Sequence, residues 1–114
     1  MQRKTAITLS VTLDDNNTPE HMQWSAPDGG VKQQNMEAFF LSTWDKESQE
    51  SARIDLWTKE MPVDQMQVFV HQVLVGVRES YLRATEDAQM AEAMQQFCDF
   101  FASERNLNDV KKSD

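Results

Sequence analysis

The sequence has few residues that can form disulfide bonds or bind a metal ion. Among 114 residues there are one cysteine and two histidines. Cys98 cannot form a disulfide within the chain. His21 and His71 have no second histidine or cysteine at the spacing of a metal site. Residues 14–17 resemble a calcium-binding loop in composition only, because the alternating ligand positions, the glycine and the final glutamate of such a loop are absent. We therefore expect neither a metal nor a cofactor.

Sequence patterns typical of catalysis are also missing. Gly29 and Gly30 follow Asp28 as a lone glycine pair, without a phosphate-binding motif around them. Cys98 falls on the apolar stripe of a predicted helix, which favours an inert core thiol over a nucleophile. Carboxylates are plentiful, but no spacing distinguishes an acid–base pair from a solvated acidic surface. The sequence thus predicts that the protein is not an enzyme.

Basic residues and long hydrophobic runs are scarce as well. The chain has 11 Lys and Arg against 19 Asp and Glu, a formal charge of −8, which disfavours nucleic-acid binding. The longest dense apolar run, residues 73–77, is far shorter than the ~18–20 residues of a membrane helix. Residues 6–13 alternate between apolar and polar, unlike a secretion signal. We expect a cytoplasmic protein that does not insert into membranes.

Hydrophobic periodicity predicts four strands. Residues 7–13 and 21–26 alternate with period two, and the polar residues 14–19 between them predict a turn. Aromatic residues favour a third strand over residues 38–45, with a short helix as the alternative and a helical turn at 35–37 before it. After a polar loop, residues 52–59 return as the hairpin partner of this strand.

Two helices are predicted after the strands. Pro62 and Asp64 suit the first turn of a helix that continues to about Arg83. Thr85 is the predicted N-cap of the second helix. The apolar stripes comprise Met66, Phe69, Val70, Val73, Leu74, Val77 and Tyr81 on the first helix and Met90, Ala93, Met94, Phe97, Cys98 and Phe101 on the second.

The order of elements predicts an α+β fold. We expect a four-stranded antiparallel sheet of two hairpins, followed by a two-helix hairpin packed on one face. A single domain would occupy residues 1–105, and residues 106–114 would form a polar, disordered C-terminal tail.

One strand face is predicted to be an interaction surface. On the last strand Arg53, Asp55, Trp57 and Lys59 share a face, so a large indole lies among three charges. Either Phe39 or Phe40 of the neighbouring strand is expected beside Trp57. Such a combination of aromatic area and charge is typical of a protein–protein interface.

The first helix carries a second apolar stripe. Val68, Val75 and Leu82 fall within a narrow arc nearly opposite its core stripe. Because exposed side chains of this kind invite association, we expect a homo-oligomer, most simply a dimer, or a hydrophobic partner. The alternative is that the third-strand prediction is wrong and that some of the apolar residues of that segment and of this stripe fill the core of a monomer.

Several segments together resemble a known family. They are LDDN at 13–16 with PE at 19–20, DGG at 28–30, LSTWD at 41–45, RIDLWTKEMPVD at 53–64, FVHQVLV at 69–75 and FCDFF at 97–101. Through these segments the chain resembles the GldC family of gliding-motility-associated proteins from Bacteroidetes, and the resemblance covers about residues 6 to 102. The resemblance implies a cytoplasmic accessory protein connected with gliding and the linked secretion apparatus, without catalytic residues. Val70, where an aromatic residue is expected, is a small departure from the family pattern.

Two other functions are compatible with the sequence. The predicted order of strands and helices is similar to that of the SecB export chaperone, which suggests a chaperone-like or peptide-binding module. The third alternative is a small-ligand cup between sheet and helices, which would require an empty apolar cavity.

Overall fold

The computed structural model describes residues 2–107, which form two compact units. The first unit ends at Met61 and the second begins at Pro62. The single domain proposed for residues 1–105 stays a prediction. In the predicted tail, Leu107 is buried, while residues 108–114 lie outside the described residues.

A three-stranded antiparallel sheet begins the first unit. It contains β1 (Thr8–Leu13), β2 (Pro19–Ala26) and β3 (Val31–Met36), in the order β1-β2-β3. Met22, at the centre of β2, pairs with Val11 and with Met36, and only 1% of its surface is exposed. This central position makes Met22 the most deeply buried large side chain of the sheet.

A two-stranded antiparallel sheet completes the first unit. It is a hairpin of β4 (Ala38–Asp45) and β5 (Glu50–Trp57), in register from Ala38 opposite Trp57 to Asp45 opposite Glu50. A bend at Glu37 separates β3 from β4. The strand predicted at residues 38–45 and its hairpin partner are thus confirmed.

The two sheets are joined where β5 ends. The amide of Thr58 donates to the Glu37 carbonyl at 2.8 Å, and the amide of Lys59 donates to the Pro19 carbonyl at 3.1 Å. The residues after β5 therefore continue along the bend between β3 and β4 and then reach the start of β2.

The prediction of one four-stranded sheet is wrong, because the described residues contain five strands in two sheets. The additional strand is β3, for which the sequence predicted a helical turn at residues 35–37. Its six residues VKQQNM are apolar only at the two ends, so they show neither alternation nor a hydrophobic run. The conformation of β3 is determined by its pairing with β2 and not by its local sequence.

The second unit is a helical hairpin, as the sequence predicted. Helix α1 spans Val63–Thr85 and helix α2 spans Ala88–Glu104. Thr85 is not the N-cap of α2: its hydroxyl donates to the Tyr81 carbonyl at 2.8 Å and accepts from the Asp87 amide at 3.1 Å. Asp87 caps α2 instead, by accepting from the Met90 amide at 3.1 Å. The predicted packing of this hairpin on a sheet face stays a prediction.

Polar side chains and small residues bring the two helices together. Arg78 Nε donates to the Ala91 carbonyl at 3.1 Å, and His71 Nε2 lies 3.1 Å from the Cys98 carbonyl oxygen. Ala91, Cys98 and Ala102, spaced seven and four residues apart, are all buried. Their small side chains permit close approach of α1, whereas the large residues of the predicted α2 stripe lie beside this line.

Candidate interaction surface

The hairpin register shows which side chains share the face of Trp57. Residues opposite each other in an antiparallel pair point to the same side, and their neighbours along the strand point to the other. Trp57 is opposite Ala38, Asp55 is opposite Phe40, and Trp44 is opposite Ser51. The Trp57 face is therefore formed by Phe40, Trp44, Arg53, Asp55 and Trp57.

Phe39 lies on the other side of the hairpin. It pairs with Leu56, and Leu41 pairs with Ile54 on the same side. Of the two phenylalanines considered from the sequence, Phe40 thus shares the face of Trp57 and Phe39 does not. Sequence periodicity established the alternation within each strand, but only the register relates one strand to the other.

Both faces of the hairpin expose large hydrophobic side chains. On the Trp57 face the exposed fractions are 69% for Trp44 and 51% for Trp57, and on the opposite face Ile54 is 53% exposed. A two-stranded hairpin alone is marginally stable in water. Apolar area on both sides of such a thin element favours association.

Charges on the Trp57 face form an ion pair that is only partly satisfied. Arg53 Nε lies 2.7 Å from Asp55 Oδ2, and the Arg53 side chain is 70% exposed. Asp55 Oδ1 is buried and has no hydrogen-bond partner among the described residues. Within the described chain, Asp55 Oδ1 therefore lacks a hydrogen-bond donor, and the neighbouring Arg53 has N–H groups that can bind a further acceptor.

Lys59 does not share the face of these residues, because β5 ends at Trp57. Its Nζ donates to Asp14 Oδ2 at 2.9 Å and lies 3.7 Å from Glu20 Oε1. Asp14 also orders the β1–β2 turn, since its Oδ1 accepts from the amides of Asn16 and Thr18 at 2.8 and 3.0 Å. Lys59 thus connects the end of the first unit to the β1–β2 turn and to the start of β2.

Acid should weaken this junction. The pKa of Asp14 is lowered from 3.8 to about 2, chiefly by the hydrogen bond from Lys59 and then by the hydrogen bonds from the amides of Thr18 and Asn16. Because the folded pKa lies below the unfolded one, the stabilisation is full above about pH 4 and is lost as pH falls toward 2. Urea midpoints of the wild type and Asp14→Asn, measured from neutral pH to pH 2, should differ at neutral pH and converge in acid. A constant difference would contradict this assignment.

The second apolar stripe of α1 lies near the line of contacts with α2. At 100° per residue, Val75 is about 40° around the helix from His71, and Leu82 is about 40° from Arg78. Val68, Val75 and Leu82 are each half-buried. These three residues therefore flank the interhelical contacts and lie in a different unit from the Trp57 face.

An apolar groove runs beside the helix pair. It has a volume of about 320 Å³ and is lined by Leu74 of α1 and by Met90, Ala93, Met94, Phe97 and Cys98 of α2. Met90 and Phe97 are each about half exposed at its margin. Burial raises the pKa of the Cys98 thiol, which keeps it protonated and unreactive. The groove offers flexible apolar side chains rather than chemistry.

A cavity of about 480 Å³ with a mixed polar and apolar lining lies in the first unit. Glu20, Glu37 and Glu60 line it together with His21 and Thr58, whose buried hydroxyl lacks a hydrogen-bond partner within the described chain. Nevertheless, no cluster of three or more His, Cys, Asp or Glu residues between positions 2 and 107 has the arrangement of a metal site. Over the same residues, neither helix is long and apolar enough to cross a membrane.

The described residues define a small α+β protein of two antiparallel sheets and a helical hairpin. A family model described as "Gliding motility-associated protein GldC-like" matches residues 19–107. The chain belongs to this GldC-like family, which confirms the resemblance found in the sequence. No curated protein and no solved structure matches the chain.

Proposed function

We propose that this protein is a non-enzymatic, cytoplasmic accessory protein that acts by binding components of a gliding or secretion apparatus. Its membership of the GldC-like family supports the connection with motility. The Trp57 face is the observation that carries the proposal of protein binding, because two exposed indoles lie beside an ion pair. Tryptophan and arginine are among the residues most enriched at interface hot spots.

Replacing Trp57 with alanine tests this function. The indole is 51% exposed, so Trp57→Ala should leave the fold intact while weakening partner binding by more than about tenfold. A cross-linked pull-down from the native host, with binding to each recovered partner then titrated, measures the effect. Components of gliding or secretion machinery should be recovered with the wild type and lost with the variant.

Phe100→Ala is the matched control for this experiment. Phe100 is 60% exposed and belongs to the helical unit, so its loss removes a comparable aromatic surface from outside the Trp57 face. Binding should persist in this variant. Unchanged binding in Trp57→Ala, or unfolding of that variant by circular dichroism, would refute the assignment of Trp57 to an interaction surface.

The apolar groove of the helical unit favours a second candidate function, a chaperone-like or peptide-binding module. Methionine-lined grooves adapt to varied apolar segments, and Met90 and Met94 line this one. A pull-down that recovers a broad set of unfolded or nascent chains, and that depends on Met90 rather than Trp57, would favour this function over a dedicated accessory role.

A further inference from the structure

The β4–β5 hairpin has two strand edges that pair with no other strand among residues 2–107. An unpaired edge presents backbone donors and acceptors that a further strand can bind. We propose that the β5 edge pairs with the β5 edge of a second copy, giving a four-stranded antiparallel sheet in the order β4-β5-β5-β4 across a two-fold axis. This dimer stands independently of the proposed partner binding.

The sequence of β5 is suited to pairing with itself. Arg53 and Asp55 flank Ile54 symmetrically, so antiparallel pairing centred on Ile54 places Arg53 opposite Asp55 of the second copy, and the reverse. An opposite-charge pair directly across a sheet stabilises the pairing, and a like-charge pair destabilises it. The proposed dimer contains two such favourable pairs.

Other registers are disfavoured. A shift of two residues places either Arg53 opposite Arg53 or Asp55 opposite Asp55 of the second copy. A shift of one residue joins the Trp57 face of one copy to the Ile54 face of the other. The centred register avoids both and brings Ile54, which is 53% exposed, against its own counterpart.

The β4 edge offers no such complementarity. Its only charged residue is Asp45, at the end of the strand, so self-pairing would gain no ion pairs. When β5 pairs with β5, by contrast, Arg53 of the second copy adds hydrogen-bond donors around the Asp55 carboxylate, whose Oδ1 has no partner within the described chain. The preference for β5 therefore follows from the positions of three consecutive residues.

Charge reversal provides the test, using purified full-length protein at low ionic strength. The wild type should be a dimer by light scattering, whereas Arg53→Glu and Asp55→Arg should each be monomeric, with self-association at least about tenfold weaker. An equimolar mixture of the two variants should form a heterodimer, because each variant presents like charges to itself and opposite charges to the other. The Arg53–Asp55 pair within each chain stays broken in this mixture, so recovery reports only contacts between chains.

Lys46→Glu is the matched control, since it reverses a charge in the hairpin turn outside the strand pairing. The mass measured by light scattering should stay that of the wild-type dimer. A monomeric wild type, a dimeric Arg53→Glu variant, or a mixture that stays monomeric would each overturn the proposal.

Cross-linking tests the register without changing charge. Opposite side chains in an antiparallel pair have Cβ atoms about 4.5–5.5 Å apart, which approaches disulfide geometry. Ile54→Cys should therefore form a disulfide dimer under mild oxidation, whereas Thr43→Cys, on the same face but on β4, should not. Equal cross-linking of the two variants, or none at position 54, would exclude this axis even if a charge variant failed to fold.

Discussion

Replacing Met22 with alanine is expected to destabilise the first unit by about 2–5 kcal/mol. Met22 is 1% exposed and pairs with Val11 on one side and Met36 on the other, so truncation leaves a cavity within the three-stranded sheet. Small domains have about 5–15 kcal/mol of net stability. The loss should thus be a large part of the total and should appear as a lower urea midpoint.

Met90→Ala is the control for this change. It removes the same atoms from a side chain that is 50% exposed on α2, and we expect its effect to stay within about 0.5 kcal/mol. Equal effects of the two substitutions would show that burial of Met22 is not what stabilises the sheet.

Enlarging Ala91 to leucine is expected to force the two helices apart. Ala91 is 1% exposed, and its carbonyl accepts the hydrogen bond from Arg78 Nε at 3.1 Å. Added methylene groups at such a site cost about 1–3 kcal/mol, and loss of the Arg78 hydrogen bond would add to this. Thermal denaturation followed by the helical circular dichroism signal measures the change.

The neighbouring Ala93 provides a matched control on the same helix. It is exposed at the apolar groove, so Ala93→Leu adds the same atoms without entering the contact between α1 and α2. Its melting temperature should stay close to that of the wild type. A comparable loss in both variants would indicate a general effect on α2 rather than close packing at Ala91.

The sequence predicted those elements whose patterns are local. The alternation in β1 and β2 and the helical spacing after Pro62 each follow from a few consecutive residues, and the structure confirms these elements. It did not predict β3, because the polar residues between Val31 and Met36 carry no periodic signal. Strand β3 depends on its pairing with β2, which is information from elsewhere in the chain.

The candidate surface was predictable in part for the same reason. Alternation placed Arg53, Asp55 and Trp57 together, and the register agrees. The choice between Phe39 and Phe40 required the pairing of β4 with β5. The hydrogen bond from Lys59 to Asp14 joins positions 45 residues apart, so no local sequence pattern predicts it. The Asp14 carboxylate at a predicted turn was visible, but its partner was not.

The pairing of consecutive elements has a consequence for the speed of folding. In the described chain β1 pairs with β2, β2 with β3, β4 with β5, and α1 packs on α2. Such low contact order favours rapid folding, and each hairpin can form as soon as its second arm leaves the ribosome. The hydrogen bonds from Lys59 to Pro19 and Asp14 join positions far apart in the sequence and can form only after that lysine has emerged. Closure of the first unit would then be its last step, and it requires no residue of either helix.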